Sequence, residues 1–172
     1  MDRGEDVLIL YTTSHGTPHA GLNYEHSAYG ASILTPADLA GKLAENGFQN
    51  RLIILQACFS GQFLPALAAP RTIVATAASA MNSSFGCWAS NDWTFFGHAL
   101  INQAMRKADT FARQFRRAVV SIIGWEQKLG IEPSNPQISI GRDAATWLAA
   151  LDARAGAVPA EPVGRPPSEL GQ

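Results

Sequence analysis

The feature that most constrains the fold of this chain is a pair of apolar runs, each followed closely by a reactive side chain. Residues 52–55 are all branched and aliphatic, and such a run indicates a strand buried on both faces of a parallel sheet. Cys58 follows this run, and His15 follows a second apolar run at residues 7–11. Because open α/β sheets carry their sites at the carboxyl ends of the strands, we expect Cys58 and His15 at one edge of the sheet.

The rest of the chain alternates helical and apolar patterns, which predicts an α/β fold with a mostly parallel central sheet. Thr35, Pro36 and Asp38 form a helix start, because threonine caps the first amides, proline suits the first turn and an acid there suits the helix dipole. The predicted helices cover 36–46, 93–107, 110–129 and 144–151. The further strands cover 72–77 and 137–140, a hairpin covers 20–24 and 31–34, and a long surface loop covers 79–92.

Composition and charge narrow the function classes. With 172 residues and 47% hydrophobic side chains, the chain can bury one sizeable core, so we expect a single domain over residues 1–151. Residues 152–172 are rich in proline and alanine and are predicted to be a disordered tail. The 13 basic and 14 acidic side chains give a formal charge of -1, which argues against nucleic acid and anionic membranes as partners.

The N-terminal segment and the cysteines bear on the compartment. The charged N-terminal residues lead directly into a strand, so no signal peptide is predicted, and no apolar run approaches membrane-spanning length. As written, the chain is expected to be soluble and cytoplasmic, and a missing signal region would place it in the cell envelope or periplasm. The 2 cysteines, Cys58 and Cys87, are too few for a disulfide framework, and both are expected to be reduced.

Cys58 and His15 would together supply a nucleophile and its acid/base. A free thiol is mostly protonated near neutral pH, so a nucleophilic cysteine needs a neighbouring group, usually histidine, that stabilises the thiolate. Gly16 lets a backbone amide approach a substrate closely, and the amides of Gly16 and Cys58 would form an oxyanion hole for a tetrahedral intermediate. The predicted chemistry is acyl transfer without a cofactor.

Other interpretations of these residues compete with this one. A lone cysteine after a strand is most often a small core residue, and this structural interpretation holds for Cys87, which has no base near it in sequence. His15 and His19 have the spacing of a zinc pair on a helix, but the glycine and proline between them disfavour a helix, so no metal is predicted. Ser60 lacks the glycine-framed elbow of a serine hydrolase and is interpreted as a turn residue.

The motifs around both reactive residues, in this order, resemble the legumain (asparaginyl endopeptidase) family of the caspase and legumain clan of cysteine peptidases, in its bacterial branch. The matching motifs are His15-Gly16, Gln56-Ala57-Cys58-Phe59-Ser60-Gly61, and Thr76-Ala77-Ala78 leading to Ser83-Ser84-Phe85-Gly86-Cys87. The resemblance implies a three-layer α/β/α sandwich of the caspase-like type. It also implies that Cys58 is the nucleophile and His15 the general acid/base of an enzyme acting on peptides or proteins.

The resemblance also identifies candidate substrate-binding residues. Ser83 and Ser84 correspond to pocket-wall residues of the family. Gln56 stands where legumains carry an acid, and His98 stands beside the position of a second family acid. Because these acids are replaced, a strong preference for asparagine at the cleaved bond is not expected.

Members of the family carry a strand and a helix before the histidine strand, and this chain as written starts after them. The truncation is expected to leave residues 7–11 with an unpaired edge, which favours aggregation or self-association. Two hypotheses follow. The chain is a cysteine endopeptidase that works through a thioester acyl-enzyme, with ligase activity where an amine resolves the thioester. Alternatively, it is an inactive truncated member that acts as a binding or structural module.

Overall fold

The structure is a computed structural model that describes residues 2–28, 30–154, 161–164 and 167. In chain order, its elements are β1 (Val7–Thr13), β2 (Gly16–Thr17), β3 (Gly21–His26), β4 (Gly30–Leu34), α1 (Pro36–Asn46), β5 (Asn50–Gln56), a 3₁₀ turn (Ser60–Phe63), α2 (Leu64–Leu67), β6 (Thr72–Thr76), a π-helix (Gly97–Gln103), a second 3₁₀ turn (Ala104–Arg106), α3 (Phe111–Leu129), β7 (Gln137–Ile140) and α4 (Ala144–Arg154).

The central sheet has the strand order β1-β5-β6-β7. The first three strands are parallel, and β7 runs antiparallel to β6. A second, antiparallel sheet of order β2-β3-β4 contains the predicted hairpin. The fold is therefore α/β with a mostly parallel central sheet, which confirms the class predicted from the sequence.

Helices cover both faces of the central sheet, and β5 supplies side chains to both. Leu52 and Ile54 pack in the core formed with the π-helix, α3 and α4, whereas Ile53 and Leu55 pack in the core formed with α1, α2 and the first 3₁₀ turn. All four side chains are at most 2% exposed. Burying each such side chain stabilises the fold by about 1.5–3 kcal/mol. The unbroken apolar run of β5 thus results from burial on both faces.

Helix α1 begins and ends as its sequence predicts. The backbone N–H of Asp38 donates to Thr35 Oγ1 at 3.1 Å, and the Thr35 N–H donates back to Asp38 Oδ2 at 3.2 Å, which forms a capping box. These hydrogen bonds from Thr35 lower the pKa of the Asp38 carboxyl. The helix ends at Gly47.

The helix predicted at 93–107 differs from the observed one. The chain forms a π-helix over Gly97–Gln103 and then a 3₁₀ turn over Ala104–Arg106. A π-helix bonds each amide to the carbonyl five residues back, so it is wider than an α-helix and turns its side chains to different positions.

Within the described residues, no helix combines the length and apolarity needed to cross a membrane.

The C-terminal boundary predicted after Leu151 falls inside α4, which continues to Arg154. The reason is packing, because Leu151 lies against the core and Asp152 accepts a hydrogen bond from the Phe111 N–H at 3.3 Å. Beyond this helix, residues 161–164 and 167 are described and some of them contact the domain. The disorder predicted for 155–160, 165–166 and 168–172 concerns residues outside the described ones.

Strand β1 is at one edge of the described central sheet. Ile9 and Tyr11 face the same side of the sheet and are 55% and 41% exposed. On the same side, Val7 packs against the core that contains α4, so the exposed part of this face is at Ile9 and Tyr11. Self-association through this edge stays a prediction.

Candidate active site

Strands β1 and β5 bring His15 and Cys58 to the same edge of the sheet. The two strands are parallel neighbours, with Thr13 opposite Gln56 in the register. Just beyond the register, the Ser14 N–H donates to the carbonyl oxygen of Gln56 at 3.1 Å. Both strands therefore leave the sheet at its carboxyl edge, where His15 and Cys58 line one cleft of ≈ 200 Å³.

The loop after β1 is pressed against the loop after β5 at Gly16. A side chain at this position would place its Cβ 1.8 Å from the carbonyl oxygen of Cys58, which no real contact permits. The small Ala57 side chain lies beside it, 3.4 Å from that Cβ position. Glycine is thus required by close approach of two backbones. This contact holds the loop that carries His15 against the loop that carries Cys58.

The turn that carries Cys58 is held by the chain after β6. Phe59 adopts a left-handed conformation with φ of 57°, which is unusual for a residue with a side chain, and its N–H donates to the Asn82 carbonyl at 2.8 Å. Ser60 is fully buried, and its hydroxyl accepts a hydrogen bond from the Ala78 N–H at 3.2 Å. Ser60 therefore fixes the turn and is not exposed at the cleft.

The sulfur of Cys58 is bounded by the backbone of Ser84. The Ser84 N–H donates to Sγ at 3.3 Å, and the thiol can donate to the Ser84 carbonyl oxygen at 3.4 Å. An N–H directed at sulfur stabilises the negative charge that a thiolate carries. Ser84 lines the cleft through this contact, whereas Ser83 is not among the lining residues.

Gln56 lies at the boundary between the cleft and an adjoining pocket of ≈ 350 Å³. Its Oε1 accepts a hydrogen bond from the Tyr11 hydroxyl at 2.5 Å, and its Nε2 donates to Thr13 Oγ1 at 2.9 Å. Although Tyr11 is 41% exposed as a whole, desolvation of its hydroxyl raises the pKa of Tyr11 to about 12, so the hydroxyl keeps its proton and donates it to Gln56. Sequence reasoning missed Tyr11, although strand alternation places it on the same face as Thr13.

His98 lies away from the cleft that contains Cys58. Its side chain is 2% exposed and sits in the π-helix, where Nδ1 contacts Asn102 Nδ2 at 3.1 Å. The ring also packs near Trp125, with 5.8 Å between ring centroids. Burial lowers the pKa of His98, because a charged imidazolium loses hydration inside the domain. The structure therefore does not bring His98 together with Gln56 and Ser84.

Cys87 was expected to be a structural residue of the core, and its position differs from that expectation. The side chain is exposed and lines both the cleft and the adjoining pocket. The chain over 82–88 forms neither helix nor strand, and it carries Cys87 to the cleft instead of into the core. The cleft therefore presents two thiols, of which Cys58 is the more buried.

Residues 1–146 match the model of a family described as the peptidase C13 family. The match includes β1, β5 and the loops that carry His15 and Cys58. No curated protein matches the chain.

We predict that Gly16→Ala lowers the free energy of unfolding by about 1–3 kcal/mol, the usual cost of inserting a methyl group into a packed site. The reason is that the new Cβ would meet a backbone carbonyl, which cannot rotate away as a flexible side chain would. Urea unfolding of the wild-type and Gly16→Ala chains measures the difference in the free energy of unfolding.

Gly41→Ala is the matched control for this prediction. Gly41 lies within α1, and a Cβ there would meet nothing within 4 Å. Alanine at this position should stabilise the chain by about 0.5–1 kcal/mol through helix propensity. If Gly16→Ala is as stable as wild type, the close approach of the two loops is not a constraint in solution.

A second prediction concerns pH and follows from the buried His98. Because burial lowers its pKa, the unfolded chain binds a proton near pH 6.5 that the folded chain does not bind until a lower pH. Above about pH 6.5, His98 should therefore not change the free energy of unfolding. Below this pH, protonation of His98 in the unfolded chain should make the free energy of unfolding decrease as the pH falls. His98→Gln should show a smaller fall in urea unfolding between pH 7.5 and 5.5. Equal pH dependence in both chains would contradict the prediction.

Proposed function

The chain belongs to the peptidase C13 (legumain) family of cysteine peptidases, and from this premise we propose that it is a cysteine endopeptidase in which Cys58 is the nucleophile and His15 the general acid/base. The observation that carries the proposal is the contact between Gly16 and the Cys58 carbonyl, which puts both side chains in one cleft.

In the first half of the reaction, the Cys58 thiolate attacks the carbonyl carbon of the substrate and forms a carbon–sulfur bond. The oxyanion that results is stabilised by the backbone amides of Gly16 and Cys58, which lie on the two loops in contact. The carbon–nitrogen bond then breaks while His15, as imidazolium, gives its proton to the leaving amine. A thioester acyl-enzyme remains.

In the second half, neutral His15 takes a proton from water as the water attacks the thioester. The carbon–sulfur bond breaks, the carboxylic product leaves and the thiolate is restored. Where a peptide amine replaces water, the same steps form a new peptide bond, and the enzyme acts as a ligase.

Substrate side chains would be received beside Gln56. Gln56, Thr13 and Thr94 line both the cleft and the adjoining pocket, and Ser84 lines the cleft. The hydrogen bonds with Tyr11 and Thr13 use one acceptor site and one donor hydrogen of the Gln56 carboxamide and fix its orientation. Among the described residues that line the cleft itself, none is a carboxylate. We infer a cleft that accepts uncharged side chains.

We predict that iodoacetamide alkylates Cys58 faster than Cys87 at neutral pH. Exposure alone would give the opposite order, because Cys87 is the more exposed thiol. A faster reaction at Cys58 would therefore report activation of its thiol by His15 and by the Ser84 N–H. Competing alkylation rates are read by mass spectrometry of digested protein.

Four variants distinguish activation of the Cys58 thiol from its exposure to the reagent. His15→Ala should slow alkylation of Cys58, while His19→Ala, at an exposed position outside the cleft, should leave it unchanged. Cys58→Ala should abolish peptide hydrolysis and Cys87→Ala should retain it. A chain that alkylates selectively at Cys58 but hydrolyses no peptide would favour the binding-module alternative, whereas equal alkylation of both thiols would remove the case for an activated nucleophile.

We also predict little preference for asparagine at the cleaved bond. A buried amide is well recognised only where its donors find acceptors, and each unpartnered group costs about 1–3 kcal/mol. Gln56→Glu supplies a carboxylate acceptor beside the cleft and should increase the rate for asparagine relative to alanine. A positional peptide library assayed with both chains measures this ratio. Strong asparagine selectivity in the wild-type chain would show that other groups supply the acceptors.

A further inference from the structure

The backbone of Val163, in the C-terminal tail, is held by two side chains of the domain. Asn102 is fully buried; its Nδ2 donates to the Val163 carbonyl oxygen at 2.8 Å and its Oδ1 accepts from the Val163 N–H at 2.9 Å. The indole N–H of Trp93 donates to the same carbonyl oxygen at 2.9 Å. The Val163 side chain is 53% exposed. The contact therefore recognises main-chain atoms and not the valine side chain.

The next residue of the tail adds a sequence requirement. Gly164 has φ of 73°, in the left-handed region that favours glycine. A Cβ at this position would lie 3.1 Å from Trp93 Nε1 and 3.2 Å from Asp92 Cβ, so a side chain would be crowded as well as strained. Further along, Pro167 lines a small pocket with Phe95, Trp125, Lys128 and Leu129. The site thus fits any residue with a backbone N–H that is followed by glycine.

The Asn102 carboxamide has a second contact besides its hydrogen bonds to the tail. Its Nδ2 also contacts His98 Nδ1 at 3.1 Å. Because the amide Nδ2 can only donate, this contact is a hydrogen bond in the neutral His98 tautomer that carries its proton on Nε2, and burial favours a neutral ring by lowering the pKa of His98. One Nδ2 hydrogen then points to His98 and the other to Val163. Without a ligand, the buried carboxamide would lose two partners at a desolvation cost.

We propose that Trp93, His98 and Asn102 form a peptide-binding site that recognises the main chain of an Xaa-Gly segment and that Val163 and Gly164 occupy in cis. The π-helix carries His98 and Asn102 four positions apart with their side chains in contact. The site borders the candidate active site, because Asp92 and Trp93 also line the pocket that adjoins the Cys58 cleft. When the tail leaves, the same donors and acceptor bind a peptide in trans. The proposal does not depend on peptidase activity.

The test uses the 172-residue chain with Val163→Pro, which removes the N–H that donates to Asn102. Val163→Ala is the matched control, because it keeps this N–H. The probe is a fluorescein-labelled peptide with the sequence of residues 160–168, followed by fluorescence anisotropy. The peptide should bind the Val163→Pro chain. Wild type and Val163→Ala should bind it at least about tenfold more weakly, since a tethered tail competes at an effective concentration of about millimolar.

Two altered peptides decide whether the main chain is what the site recognises. A peptide with proline at the position of Val163 should bind the Val163→Pro chain about tenfold more weakly, and one with alanine at the position of Gly164 should also lose affinity. Asn102→Ala in the same chain should abolish binding. If that variant does not fold, the altered peptides still test the site. A proline peptide that binds as tightly as its parent would overturn the proposal.

Size-exclusion chromatography tests separately whether the bound tail belongs to the same chain or to a second copy. Occupancy in cis predicts the same elution volume for wild type and Val163→Pro. A wild-type dimer that dissociates in the Val163→Pro chain would show that the tail of a second copy fills the site, which overturns occupancy in cis. Equal peptide binding by wild type and Val163→Pro would also overturn it.

Discussion

The close approach of the Gly16 backbone to the carbonyl of Cys58 is the constraint on which the arrangement of the site depends. Parallel pairing of β1 with β5 brings the two loops to one edge, but pairing alone leaves their separation open. The missing side chain at Gly16 lets the backbones meet, and the small Ala57 leaves room beside them. His15 is therefore positioned by backbone packing, which is stiffer than a hydrogen bond between two side chains.

The other wall of the cleft is held by a different set of bonds. The strained turn at Phe59 is bonded to Asn82, and buried Ser60 is bonded to the Ala78 amide. These bonds fix the chain after β6 against the turn, so that Ser84 reaches the Cys58 sulfur. The turn that carries Cys58 therefore also anchors the loop whose Ser84 N–H reaches the Cys58 sulfur. A change at this turn would move both walls together.

The π-helix connects the candidate active site with the tail. Just before its start, Thr94 lines the cleft beside Gln56, and within it Asn102 holds the backbone of Val163. Trp93 contributes to the adjoining pocket and also to the tail contact. The proposed tail site and the pocket that adjoins the Cys58 cleft therefore share Trp93.

The sequence alone determined the buried parallel strands, the start of α1 at Pro36 after the Thr35 cap, and the placement of a histidine and a cysteine after two apolar strands, because each depends on local patterns of polarity, capping and turn residues. It did not determine that Cys87 would line the cleft, or that residues 97–103 would form a π-helix. The hydrogen bonds from Tyr11 to Gln56 and from Asn102 to Val163 join residues 45 and 61 positions apart. Only the tertiary structure decided these, because such contacts depend on how whole elements pack, and no local pattern encodes that packing.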